Sequence, residues 1–135
     1  MPRIVPVVLL LTLILGYQCA GASGSTRFDK ETAANLTDLI QTALLYDIYD
    51  QRCRGFVSSM HTDNVENLSV DKLGMSLSQL SETLVSKSLL ELRQEMNQLV
   101  LARIRQHGGC LATKRKGYLN QLDQRYQRLY GWLSD

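Results

Sequence analysis

The chain has 135 residues, 44% of them hydrophobic, and a formal charge of +2. That length allows one domain with a modest core, and that charge gives no general basis for holding nucleic acid or an anionic membrane. Only two prolines occur, Pro2 and Pro6, so the rest of the chain carries no residue that lacks a backbone donor.

Arg3 precedes an apolar run from Ile4 to Leu15, followed by Cys19-Ala20-Gly21-Ala22-Ser23. A positive start, a short greasy stretch and an Ala-x-Ala site define a secretory signal peptide, residues 1–22, cleaved after Ala22. The run of about a dozen apolar residues falls short of the roughly 20 that span a bilayer. Tyr17-Gln18 ahead of Cys19 is a poor match to a lipoprotein site. Removing 22 of the 135 residues leaves 113, read as a single domain over 23–135, and losing Arg3 lowers the charge to +1. The expected location is periplasmic or secreted. There Cys53 and Cys110 are expected to form one disulfide, and no C-x-x-C pairing points to redox chemistry.

After the leader the sequence is rich in Leu, Gln, Ser and Arg and poor in alternating β-branched runs, which predicts an all-α domain. Ser23 to Arg27 reads as a frayed tail. A first helix is predicted from about Asp29, its N-cap, to Cys53, with Leu36, Leu39, Ile40, Ala43, Leu44 and Ile48 as the buried stripe and Gly55 as the stop. Arg54 to Val70 is rich in turn formers and predicts a loop with one short helix at most. Helical spacing resumes at Val70 or Ser76 and runs to His107. Leu73, Leu77, Leu80, Leu84, Leu92, Met96, Leu99 and Arg103 carry the face, widened by Leu89, Val100 and Ile104. Ser76-x-x-Gln79 and Ser88-x-x-Glu91 fit capping boxes, and the second places a break near Ser86 to Ser88. A last helix is predicted from Leu111 to Leu133, with Leu111, Tyr118, Leu122, Tyr126, Leu129 and Leu133 inward. Lys114, Arg115 and Lys116 in its first turns read as a solvated face.

A Cys53–Cys110 bond puts the ends of the first and long helices at one pole. The two are then expected to run parallel, with the last helix antiparallel and the segment after Cys53 returning along the bundle. About 24 helical residues span about 36 Å, which the 17 or so residues after Cys53 can cover. The expected architecture is a small bundle of three long helices plus an irregular or short-helical return segment, stapled by one disulfide.

Catalytic chemistry is thinly represented. The only histidines, His61 and His107, lack a partner at metal-ligand spacing, and no nucleophile elbow, phosphate loop or zinc-protease motif occurs. Asp47 and Asp50, three apart on the first helix, read as surface acids that pair with Arg52, Arg54 or the last helix. If Asp47 were partly buried, a basic partner such as Arg103 or Arg125 is expected. No catalytic set, metal or cofactor is therefore assigned. Aromatics are more informative: Tyr46, Tyr49, Tyr118, Tyr126, Tyr130 and Trp132 fall in two helices. Such side chains bury area while keeping one polar atom wet, which suits binding surfaces. Asn35-Leu36-Thr37 and Asn67-Leu68-Ser69 match the glycosylation sequon, relevant only in a eukaryotic secretory pathway.

The layout of Leu36-Thr37-Asp38-Leu39 through Gln51-Arg52-Cys53, with Cys110 opening the last helix, resembles the small pilotins of type II secretion, the PulS/OutS family. The resemblance covers about a third of the chain after the leader. It implies a disulfide-bearing helical bundle that holds a short helix of a secretin and helps it reach the outer membrane. It departs from the lipoprotein members at Cys19.

The expected function is that of an exported, non-enzymatic protein-binding module that takes a partner helix into a groove between the first and last helices. Leu39, Tyr46, Tyr118 and Tyr126 would line that groove, with Tyr130 and Trp132 beside it. The partner is another protein of the envelope or extracellular space, with no nucleic acid and no small-molecule cofactor. Two rivals are an inhibitor or immunity protein against an enzyme or toxin, and a secreted helical signalling factor.

Overall fold

The computed structural model of the chain describes residues 27–135, so the leader and its cleavage site lie outside the described residues. Helix α1 (Lys30–Tyr49) begins as the sequence predicts. The Asp29 side chain accepts from Thr32 N–H at 2.9 Å, closing the first turn. The helix runs on through a π-helical turn, Asp50–Arg54, and stops at Gly55, whose φ is +71°. Its stripe from Leu36 to Ile48 is buried as predicted and forms the axis of the core.

The return segment is more ordered than expected. It holds α2 (Met60–Leu73), 14 residues long, where a loop with at most one short helix was predicted before Val70, and it is followed by α3 (Leu77–Val85), within the stretch predicted to be helical. The inward positions of α2 are His61, Thr62, Val65 and Ser69, a helical stripe that is mostly polar. A search for apolar periodicity passes over it.

Both predicted capping boxes are present. Ser76 and Gln79 close α3, and Ser88 and Glu91 close α4 (Leu89–His107). The long stretch is therefore two helices, broken at Ser86, which adopts a left-handed φ of +56°. On α4 the buried face is Leu92, Met96 and Val100, at strict four-residue spacing, with Ile104 half-buried. Leu99, one residue off that line, is exposed rather than inward.

The last helix also divides, into α5 (Cys110–Arg115) and α6 (Tyr118–Ser134). Gly117 makes the corner at φ +79°, a conformation an L side chain reaches only with strain. Because α5 turns away from the line of α6, Leu111 leaves the predicted core stripe and is 63% exposed.

The disulfide joins Cys53 and Cys110, with Cα atoms 5.3 Å apart. Helix α2 returns along α1 as the staple requires. Its start meets Asp47, and the carbonyl of Leu73 at its end accepts from Arg27, which is thereby tied down rather than frayed. Helix α6 is antiparallel to α1: Tyr118 packs on Tyr49, and Arg125 pairs with Asp38 a few turns earlier in α1. Helix α4 packs against α1. Leu90, Arg93 and Asn97 lie beside Ile48, Gln51 and Arg52, whereas the later Leu99 and Arg103 lie beside Leu45. Helix α4 ends at His107, three residues before Cys110, so its end lies at the disulfide pole as expected, with Gly108 and Gly109 making the turn into α5.

Small polar residues fill much of the interior at no cost in unpaired groups. The hydroxyls of Thr42, Ser69, Ser81 and Thr113, all fully buried, donate to backbone carbonyls of nearby residues. No described helix is long and apolar enough to cross a membrane.

Candidate functional site

The predicted inter-helix groove is closed. Leu39 is 0% exposed, and Tyr118 and Tyr126 are buried with it, so these residues are core and line no open surface. Tyr46 is half-buried with its ring against His61, and Tyr130 is half-buried and stacked on Tyr126 at 5.5 Å. Of the six residues assigned to binding, only Trp132 is exposed, at 38%. The antiparallel packing of α6 on α1 brings the tyrosines together as expected, but it uses them as the seam.

The acids and His61 form a centre that the sequence does not announce. Asp47 is buried, and so is Asp50, which contradicts their reading as surface acids. The partner of Asp47 is neither Arg103 nor Arg125. Its Oδ1 accepts from His61 N–H at 3.1 Å and lies 2.8 Å from His61 Nδ1. Its Oδ2 accepts from Thr62 N–H at 2.8 Å and from the Thr62 hydroxyl at 2.5 Å. These backbone donors belong to the first turn of α2, whose own N-cap residue, Ser59, makes no side-chain cap bond. Asp47 therefore caps α2 from across the interface, with its charge at the positive end of that helix. Burial alone would raise its carboxyl pKa. The bonds from His61 and Thr62 outweigh burial and hold it below the usual value.

Around this clasp, the His61 ring is stacked on Tyr46 at 3.7 Å and set edge-on to Tyr126 at 4.8 Å. Burial pushes the Tyr126 hydroxyl up to about 12, and burial together with Asp123 and Asp50 raises that of Tyr46. Both phenols stay neutral under ordinary conditions. An aspartate orienting an imidazole is also the supporting half of a catalytic triad. Here the carboxylate's bonds all go to the start of α2, and the ring is stacked on Tyr46 and set edge-on to Tyr126, which makes the arrangement a structural clasp. A similar acid serves the next helix, since Glu66 accepts from Leu77 N–H at 2.6 Å and caps α3. Among the described residues no group of three or more His, Cys, Asp or Glu could hold a metal ion.

One open feature lies at the disulfide pole. A cleft of about 350 Å³ lies between the end of α1 and α5, lined by Tyr49, Cys53, Cys110, Leu111 and Leu119, with Arg54 and Lys114 on its sides. Arg54 donates to Asp50 at 3.1 Å and its guanidinium lies 5.4 Å from the centre of the Phe56 ring. The loop that follows exposes Phe56, Val57 and Met60, and Val57 is 94% exposed. No ion pair among the described residues involves Lys114, Arg115 or Lys116. Sequence reasoning missed this pole because Phe56-Val57 sat in a presumed loop and Leu111 in a presumed core stripe. The signal within reach was Gly117, which ends α5 and turns Leu111 outward.

A second, smaller cleft of about 230 Å³ lies between Leu45, Leu99, Tyr118 and Leu122, with Arg103 and Arg125 at its edge. Arg103 lies over the Tyr118 ring and Arg125 pairs with Asp38, so its cations are already engaged.

Comparison with known proteins found no matching family, no matching curated protein and no matching solved structure.

Proposed function

We propose that this chain is an exported, non-enzymatic protein-binding module of the periplasm or extracellular space, and that it docks its partner at the disulfide pole. The observation that carries this reading is the cleft with cationic sides, which Leu111 lines from an exposed position, together with the exposed Phe56 and Val57 in the loop just after Arg54. Exposed large apolar groups cost solubility unless they are covered in use, and grouped ones mark interaction surfaces. The staple gives that surface a fixed shape. It joins the loop-bearing end of α1 to α5, so little conformational entropy is lost on binding there. Two features support the compartment in this reading: the disulfide, and the leader expected from the sequence over residues 1–22.

Export is tested by fractionating cells that express the full chain and alkylating its thiols. The expected product is trimmed after Ala22, lies outside the cytoplasm, and has Cys53 and Cys110 unreactive. Binding is tested by capture from envelope extract on the immobilised chain, alongside a Phe56→Ser/Leu111→Ser double variant. A specific protein retained by the parent and lost by the double variant supports the reading. Equal retention by both, or none, contradicts it. If the retained protein is a secretin, the pilotin-like form of the function follows; a co-encoded toxin or hydrolase makes it an inhibitor.

A further inference from the structure

We propose that the disulfide pole recognises an acidic amphipathic helix of its protein partner, with carboxylates meeting Arg54 and Lys114 and an apolar face covering Phe56, Val57 and Leu111. This rests on the protein-binding reading above and adds the chemistry of the partner.

Charge is the first argument. Lys114 has no acid in ion-pair contact among the described residues. Arg54 is paired with the buried Asp50 through one nitrogen only and its side chain stays 48% exposed, so it can still turn a second nitrogen to a ligand, while Lys114 is the cation without a partner. Arg115 and Lys116 continue the run of cations on exposed positions. Arg52, exposed one residue before Cys53, donates to Asn97 and keeps its full charge. Five exposed cations thus stand near this pole, one of them paired with Asp50, although the chain as a whole is nearly neutral. An arginine fork and a free ammonium favour carboxylates, with the arginine able to bind in bidentate fashion.

Shape is the second argument. The cationic pair flanks a concavity of about 350 Å³ whose floor is Tyr49 and Leu119 and the disulfide itself. That space takes a few side chains, which a helix delivers at i, i+3 and i+4 from one face. A bilayer presents no such projection, so its surface meets the rim but leaves the cleft unfilled. Addition of a strand is not available either, because the described residues contain no sheet edge.

Adjacency is the third. Leu111 follows Cys110 directly, and Phe56 is three residues from Cys53, so the bond that joins the cysteines also joins the apolar halves of the patch.

The test uses the chain purified with its disulfide intact and labelled with ¹⁵N. It is titrated with an amphipathic peptide of about 14 residues, four helical turns, bearing glutamates on its polar face. A glutamine counterpart of that peptide and phosphatidylcholine vesicles containing phosphatidylglycerol are run in parallel. The expected result is saturable shifts at Arg54, Phe56, Val57, Leu111 and Lys114 with the acidic peptide, weakening as salt rises. The glutamine peptide and the Lys114→Glu variant are each expected to bind about tenfold more weakly. Lys114 is exposed and unpaired, so that variant keeps its fold, and an unchanged melting temperature verifies this. Equal binding of both peptides, shifts centred on Trp132, or no binding of either peptide overturns the proposal. Binding to the vesicles alone overturns it in favour of a membrane. If the captured envelope partner is insensitive to Lys114→Glu but sensitive to Phe56→Ser, the acidic chemistry fails while the protein-binding reading stands. If nothing is captured, the reading itself fails.

Discussion

Replacing Asp47 by alanine removes one carboxylate and leaves four donors without an acceptor. Two are backbone N–H groups of the first turn of α2, one is the imidazole of His61 and one is the Thr62 hydroxyl. Asp47 is 1% exposed, so water does not replace it without local opening. Losing a helix cap alone costs about 1 kcal/mol. Stranding several buried donors at once raises the figure to about 3–5 kcal/mol. Against a total stability of about 5–15 kcal/mol this is a severe loss, equivalent to roughly 15 °C or more in melting temperature for a domain of this size. The control lies on the same helix. Asp38→Ala breaks the exposed pair with Arg125 and is expected to cost about 0.5 kcal/mol. Urea unfolding followed by circular dichroism compares the two. A cost for Asp47→Ala within 1 kcal/mol of that for Asp38→Ala, on the order of one unsatisfied donor, would refute the inter-helix clasp. The pH dependence has a definite sign. The folded carboxyl titrates below its unfolded value of 3.8, so its contribution is complete above that pH and is lost as pH falls through the folded value. Asp47→Asn lacks this component, and its unfolding free energy is expected to fall less than the parent's below about pH 4.

Three further outcomes follow from particular residues. A Cys53→Ala/Cys110→Ala pair opens a loop spanning 57 positions and is expected to lose about 4 kcal/mol in the chain-entropy account, read from denaturant midpoints. Gly117→Ala meets no neighbour within 4 Å, so its cost is backbone strain alone, about 1–2 kcal/mol, while Ser86→Gly relieves strain and gains up to about 1 kcal/mol; thermal melts of both check the signs. Leu39→Ala is expected to cost about 2–5 kcal/mol of stability, as a core truncation. Among molecules that remain folded, it leaves affinity for the acidic peptide unchanged, because Leu39 faces no surface.

Much of the fold is legible from residue patterns. The stripe of α1, the two capping boxes and the cysteine pair each rest on a local rule that tertiary packing does not override. Helix α2 is hidden because its inward face is His61, Thr62 and Ser69, whose polar groups are satisfied by Asp47 and by the Glu66 carbonyl rather than by being left in water. Polarity normally signals exposure, and here paired hydrogen bonds cancel that signal. The site is harder to read than the fold. Clustered tyrosines look alike on a seam and on a surface until the facing helix is placed, and α6 covers them. The inverse holds for Leu111, apolar and at helical spacing, which is turned outward by a corner one glycine long.

Photo-crosslinking in living cells tests the docking pole most directly. A benzoylphenylalanine placed at Val57 or at Leu111 is expected to form an adduct with one partner protein, and Lys114→Glu in the same chain is expected to reduce it. The same probe at Trp132, the exposed member of the tyrosine-rich seam, is expected to form none. Adducts from Trp132 with silence at Val57 and Leu111 would contradict the assignment of the disulfide pole as the binding surface.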